Sequence, residues 1–179
     1  MKRKNIILGI TASIAIYKAG EIIRKLMKDN FSLSVVMTKN ATRLISPQVF
    51  STLSGRQVYW DEFQSPAHWE IEHISLAKQA DLILIAPATA NIIGKIAHGI
   101  ADDLLSTTVM ATRAPVLIVP AMNENMYRNK IVQENTRKLK GMGFRFIGPG
   151  IGKLACGDVG VGHLAEVATI IKEVKKLLR

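Results

Sequence analysis

Four runs of branched aliphatic residues recur along this chain, NIILGI (5–10), FSLSVVMT (31–38), DLILIAP (81–87) and PVLIVP (115–120), with a weaker fifth in FRFIGP (144–149). Runs that are apolar without alternation suit strands buried on both faces, and such strands belong in a parallel sheet covered by crossover helices. The first interval supplies the helical half of that pattern. Ala19, Ile22, Ile23 and Leu26 fall at helical spacing, and Glu21 stands four residues before Lys25, placed for an i,i+4 pair. The predicted class is α/β with a doubly wound parallel sheet, as a single domain over residues 1–179, since no repeat, low-complexity tract or linker divides the chain.

With 179 residues, 48% hydrophobic and 21% charged, the chain has enough apolar mass for its own core. Its longest apolar stretches end before the roughly 20 residues a bilayer span requires, and MKRKNIILGI enters the first strand with no cleavage site. A soluble, cytoplasmic protein is expected. The single cysteine, Cys156, excludes an intrachain disulfide and a multi-cysteine metal site. A net charge of +10 raises the question of nucleic acid. Yet Lys2, Arg3 and Lys4 stand at the chain end, and Lys172, Lys175, Lys176 and Arg179 lie opposite a stripe of Leu164, Val167, Ile171, Val174 and Leu178, which describes a solvated helix face. Neither a nucleic acid nor a membrane partner is expected, and the positive field suits an anionic small substrate.

In doubly wound sheets ligands bind beyond the carboxyl ends of the strands. Three strand ends here present hydroxyls: Thr11 to Ser13 after the first run, Thr38 after the second and Thr89 after DLILIAPA. Each also reads as an ordinary helix N-cap. GITASIAIYK has neither a Walker loop's glycine spacing nor GxGxxG, so the pattern is closer to the hydroxyl cradle with which flavodoxin-like folds hold FMN. The loop PAMNENM carries no cation, and the soft side chains of Met122 and Met126 suit packing on a flat ring. Asp102 and Asp103 are adjacent carboxylates without a further ligand at compatible spacing, so no metal is expected.

Three ordered stretches, IEHISLAKQADLILIAPATANIIGKIAHGIADDLLSTT, PAMNENMY and GKLACGDVGVGHL, together resemble the homo-oligomeric flavin-containing cysteine decarboxylases. The resemblance runs from LGITASIAIYK to GHL and implies FMN as cofactor and 4'-phosphopantothenoylcysteine as substrate, decarboxylated to 4'-phosphopantetheine in coenzyme A biosynthesis. It makes His73, Asn123 and Cys156 the catalytic residues. Around the cofactor it places Gly9, Thr11, Ser13 and Thr38 on the first two strand ends, Ala88 and Thr89 on the next, and Asp103, Ser106 and Met122 beyond. Around the substrate it places Asn123, Met126, Lys153 and Ala155. The implied route is oxidation of the substrate's cysteine side chain to a thioaldehyde, loss of carbon dioxide into the thiocarbonyl, and return of the electrons with a proton from Cys156. A homotrimer or a dodecamer of trimers is implied, with a phosphopantothenate–cysteine ligase, fused or separate, as partner.

The residue types suit those tasks. A histidine moves protons near neutral pH, and an asparagine amide donates to a carboxylate without holding it as an ion pair. Taken without the resemblance, His73 reads as a helix-start residue, Asn123 as an N-cap and Cys156 as a small buried hydrophobe, and His68 and His98 read as structural. The six glycines from Gly148 to Gly162 predict a mobile loop around Cys156. Two positions depart from the family pattern: Tyr127 replaces a tryptophan, and His163 replaces an arginine whose two-pronged grip a histidine lacks. Lys153 is a candidate replacement cation. A peptidyl-cysteine decarboxylase and a non-catalytic flavin-binding regulatory subunit are the alternative functions.

Overall fold

The structure is a computed structural model that describes residues 3–62, 72–153, 157 and 159–179, without the side chains of Lys153 and Val159. β1 (Asn5–Ile10), β2 (Ser32–Met37), β3 (Val58–Tyr59), β4 (Leu82–Ala88), β5 (Val116–Pro120) and β6 (Arg145–Phe146) form a six-stranded sheet in the order β3-β2-β1-β4-β5-β6, parallel throughout. Winding proceeds from β1 outward through β2 and β3 on one side and through β4 to β6 on the other, so the order reverses between β1 and β4. Apart from the two-residue edge strand β3, this is the flavodoxin-like arrangement, with its switch point at that reversal.

The sheet divides the core into two layers because alternate side chains of each strand point to opposite faces. Ile6, Leu8, Leu84 and Leu117 pack with α1 (Ala19–Lys28), α2 (Pro47–Ser54) and α8 (Val167–Leu177). Ile7, Ile83, Ile85 and Ile118 face α3 (Glu72–Gln79), α4 (Ala90–Ala97), α5 (Leu104–Ala111) and α7 (Lys130–Gly141). The predicted stripe of α1 is buried, and Glu21 pairs with Lys25 at 3.0 Å. On α8 the apolar stripe is likewise buried, and Lys175 reaches Asp29 at 2.8 Å, tying the last helix to the end of α1.

Gly9 has a packing role that the sequence does not announce. It sits one residue before the end of β1 on the face covered by α5, where a Cβ would lie 2.6 Å from Leu105 Cδ1. The notch admits a fully buried leucine, whose burial is worth on the order of 2 kcal/mol.

Four local features differ from the sequence expectations. FRFIGP contributes only the two residues of β6, and β3 was not anticipated at all. The helix expected after Asn123 breaks at Asn129: α6 (Glu124–Arg128) is capped by Asn123, and α7 by Asn129, whose side chain accepts from the Ile131 N–H at 2.9 Å. The glycine-rich stretch expected as a loop forms two antiparallel strands, β7 (Gly150–Lys153) and β8 (Val159–His163).

Candidate active site and cofactor crevice

The switch point is stitched by one hydroxyl. Thr11, buried just beyond β1, donates from Oγ1 to the Pro87 carbonyl at 2.8 Å and accepts the Thr89 N–H at 3.0 Å, while its own N–H also bonds the Pro87 carbonyl at 3.3 Å. Above this stitch lie two cavities of about 560 and 630 Å³, and Ala12, Thr89 and Met126 line both. Together they make one crevice with two arms, each of a size found for cofactor and small-molecule sites.

The larger arm is polar. Thr38 and Asn40 beyond β2, Trp60 and Glu62 beyond β3, and Asn91 and Asp103 near the starts of α4 and α5 line it. Asp103 is the N-cap of α5 in a capping box: Oδ1 accepts the Ser106 N–H at 2.8 Å, and Ser106 Oγ accepts the Asp103 N–H at 3.2 Å. Lys95 bridges Asp102 at 2.6 Å and Asp103 at 2.7 Å. Burial works to raise the Asp103 carboxyl, but hydrogen bonds from Lys95 and Ser106 outweigh it and hold the group below the ordinary carboxylate range. Burial likewise works to lower the Lys95 ammonium, and the two carboxylates outweigh it, so Lys95 is raised.

The smaller arm is mainly apolar, walled by Ile14, Ala15, Ala121, Met122, Met126 and Leu164, with Ser13, Lys18, Thr89, Asn123 and His163 among its polar groups. Its floor is the exit of β5. The Met122 N–H donates to the Gly162 carbonyl at 3.0 Å, which docks β8 against the PAMNENM loop. Asn123 caps α6 by accepting the Asn125 N–H on Oδ1 at 2.8 Å. That bond engages the amide oxygen, and the NH₂ group of an asparagine makes its contacts as a donor.

Of the residues expected around cofactor and substrate, Thr11, Ser13, Thr38, Thr89, Asp103, Met122, Asn123 and Met126 line the crevice. Gly9, Ala88 and Ser106 line neither arm: Gly9 serves the packing of Leu105, Ala88 is fully buried with its carbonyl on the Ala121 N–H at 3.0 Å, and Ser106 closes the cap of α5. His73, in the first turn of α3, also lines neither arm; its Nδ1 lies 4.0 Å from Oε1 of Glu62, a buried oxygen without a hydrogen-bond partner among the described residues. Cys156 and Ala155, like His68 and the Lys153 side chain, lie outside the described residues. Tyr17, Lys18, Trp60, Glu62, Asn91 and Lys95 line the crevice without having been singled out. Trp60 and Glu62 follow β3, and reading residues beyond that strand would have found them had two residues been long enough to signal it. Among the described residues no cluster of His, Cys, Asp or Glu could hold a metal ion, and no helix is long and apolar enough to cross a membrane.

Hydroxyls and amides at three strand ends, beside apolar walls and two methionines, fit a molecule with a flat ring and a polar tail. Fold and crevice together define a flavodoxin-like α/β protein with a cofactor site at its switch point. The chain belongs to the Flavoprotein family, whose model matches residues 1–179, and a flavin is therefore its cofactor class. It is 41% identical over 177 residues to a probable phosphopantothenoylcysteine decarboxylase of Streptococcus mutans, covering 98% of this chain and 99% of that one. It is 46% identical over 176 residues to a coenzyme A biosynthesis bifunctional protein of Bacillus subtilis, covering 98% of this chain and 43% of that protein, so the chain spans less than half the length of such relatives. Among solved structures it resembles a PPC decarboxylase cysteine-to-serine mutant complexed with pantothenoylaminoethenethiol, at a TM-score of 0.86 and 27% identity over 98% of both chains.

Proposed function

We propose that this chain is an FMN-dependent decarboxylase that converts 4'-phosphopantothenoylcysteine to 4'-phosphopantetheine in coenzyme A biosynthesis. The observation that carries the reading is the placement of Asn123. Its amide is oriented by the α6 cap at the floor of the smaller arm, beside Met122 and next to the hydroxyl-lined switch point. The end-to-end likeness to the Streptococcus mutans relative supports the same substrate.

When bound, FMN supplies a reversible two-electron oxidation of the substrate's thiol-bearing carbon, which makes the adjacent carboxylate a leaving group. The hydroxyls of Ser13, Thr38 and Thr89, with Asn40 and Asn91, would hold the cofactor's polar parts. The Asn123 NH₂ would donate to the substrate carboxylate. A neutral donor orients that group yet does not stabilise its charge as an ammonium would, so release of carbon dioxide is less opposed. His73 would move the thiol proton, and Cys156 would return a proton to the product carbon. Carbon dioxide leaves, a proton takes its place and no net redox change results.

A soluble cytoplasmic homotrimer, alone or within a dodecamer, belongs to this reading. His73 lines neither arm of its own chain, so a neighbouring copy would supply that residue. A phosphopantothenate–cysteine ligase, fused or separate, is the proposed partner, in keeping with the bifunctional relatives.

The test is anaerobic incubation of the flavin-loaded protein with 4'-phosphopantothenoylcysteine, with carbon dioxide and product followed by mass, beside Cys156→Ser and His73→Asn. Product from the parent, an oxidised decarboxylated species from Cys156→Ser and no turnover by His73→Asn are expected. Turnover of a peptide ending in cysteine instead would move the function to a peptidyl-cysteine decarboxylase. A flavin-loaded protein inert toward both would be a regulatory subunit.

A further inference from the structure

The two arms of the crevice differ in charge. Four carboxylates, Asp61, Glu62, Asp102 and Asp103, line the larger arm against Lys39 and Lys95. Among the described residues the smaller arm, which contains Asn123, is lined by Lys18 and His163 and by no carboxylate. The two basic groups come from different elements: Lys18 ends the 3-10 turn Ile14–Lys18 that follows β1, and His163 ends β8.

Neither is engaged elsewhere in a way that removes it from service. Lys18 makes no ion pair among the described residues, whereas Lys95, Arg128 and Lys175 each face a carboxylate. His163 Nδ1 bonds the Leu164 carbonyl at 2.8 Å, and a carbonyl only accepts, so Nδ1 carries a proton. The Cγ–Cδ2 edge of the ring rests on Gly152, where a Cβ would lie 3.4 Å away. Nε2 is the ring's remaining polar atom, and His163 lines the arm.

We propose that Lys18 and His163 form an anion subsite that holds the phosphate monoester of the substrate while Asn123 meets its carboxylate. This rests on the decarboxylase reading above. A substrate anionic at both ends suits an arm that has an amide on its floor and two basic groups among the polar side chains of its walls. A phosphate monoester carries nearly two negative charges near neutral pH and three acceptor oxygens. It can take the Lys18 ammonium as a point donor and, from the imidazolium form in which both ring nitrogens carry protons, a second donation from Nε2, each directional and single, where an arginine would give a fork. Uniform binding of a group remote from the reacting carbon lowers KM without touching the chemical step.

Calorimetric titration of the flavin-loaded protein with 4'-phosphopantetheine and with pantetheine tests the subsite without requiring turnover. The parent should favour the phosphorylated ligand by about tenfold or more, the size of a charge-assisted contact. Lys18→Met and His163→Gln should each shrink that preference severalfold and together bring it near one. Lys18→Arg should keep it, as should Lys172→Met on the exposed face of α8. The KM ratio of phosphorylated to unphosphorylated acyl-cysteine should move in parallel, with kcat on the phosphorylated substrate altered less than KM.

A parent without preference, or a preference that Lys18→Met leaves intact, would overturn the subsite. So would a Lys18→Met protein that loses affinity for FMN but not for riboflavin, because the phosphate held would then be the cofactor's. Failure of the parent to release carbon dioxide removes the decarboxylase reading alone, since the calorimetric preference still decides whether the subsite exists.

Discussion

The Thr89 N–H donates to the hydroxyl of Thr11 at 3.0 Å, so the N-cap of α4 is tied directly to the residue that follows β1. Because the same hydroxyl donates to the Pro87 carbonyl, one buried side chain beyond β1 satisfies two backbone groups at the end of β4, across the switch point. Thr11→Val keeps the shape and removes both bonds, leaving a buried carbonyl and N–H poorly satisfied. A loss of about 1–3 kcal/mol in urea unfolding is expected, together with weaker flavin retention, whereas Thr11→Ser should keep most of both. Equal stability of the valine variant and the parent would show that the bonds contribute nothing.

Gly162 is where β8 touches the PAMNENM loop. Its φ of +144° disfavours any side chain, and a Cβ there would collide with the Met122 carbonyl oxygen. Gly162→Ala must therefore push β8 away from the loop and lengthen the bond from the Met122 N–H. A drop in kcat/KM on the order of a hundredfold is expected, with flavin still bound, because a displacement of about 1 Å at a positioning contact can cost that much. Flavin absorbance and steady-state carbon dioxide release from the same preparation separate the two effects.

How much of this was legible in the chain follows from what each residue is used for. The continuous apolar strands and the stripe of α1 announced themselves because burial on both sheet faces leaves a pattern in composition alone. Thr38, Thr89 and Ser13 were found because the ends of those strands were found. β7 and β8 left no such mark: glycines carry no strand propensity, and the hairpin depends on docking to Met122, a contact distant in sequence. Gly9 has a use that no composition pattern marks: the space beside it is filled by Leu105. Lys18 fell among helix-periodic residues where a lysine reads as surface. Only the three-dimensional arrangement places it on the crevice wall.

The proposed function gives Asn123 a second duty beside its cap. As the cap of α6 it uses an oxygen acceptor, and toward the substrate carboxylate it would need a donor. Asn123→Asp preserves the first, since both residues cap well, and reverses the second by setting a carboxylate against the substrate's own. Melting temperature should stay within about 2 °C of the parent, a change of a few tenths of a kcal/mol, while kcat/KM falls by about a hundredfold or more. Asn123→Ala should lose both, with the capping loss near 1 kcal/mol. An aspartate variant as unstable as the alanine one would mean that the cap, and not the amide donor, accounts for the residue.

The Lys95–Asp103 pair sets a pH signature. The Asp103 carboxyl is held below its ordinary value of 3.8, so its stabilising contribution is present above that pH and is lost as pH falls through the lower folded value. Lys95 is raised above its ordinary 10.5, so its contribution is present below that pH and is lost as pH rises through the higher folded value. Asp103→Asn keeps a capping acceptor for the Ser106 N–H and removes the charge, and Lys95 retains Asp102 as a partner. The stability gap between parent and variant in urea unfolding should therefore be level from about pH 5 to 9 and close as the pH drops below about 4, where Asp103 takes up its proton. On the alkaline side the gap should change less, because Lys95 keeps a carboxylate in both proteins. A gap that persists undiminished at pH 3 would assign the effect to the cap and leave the ion pair without a measurable share.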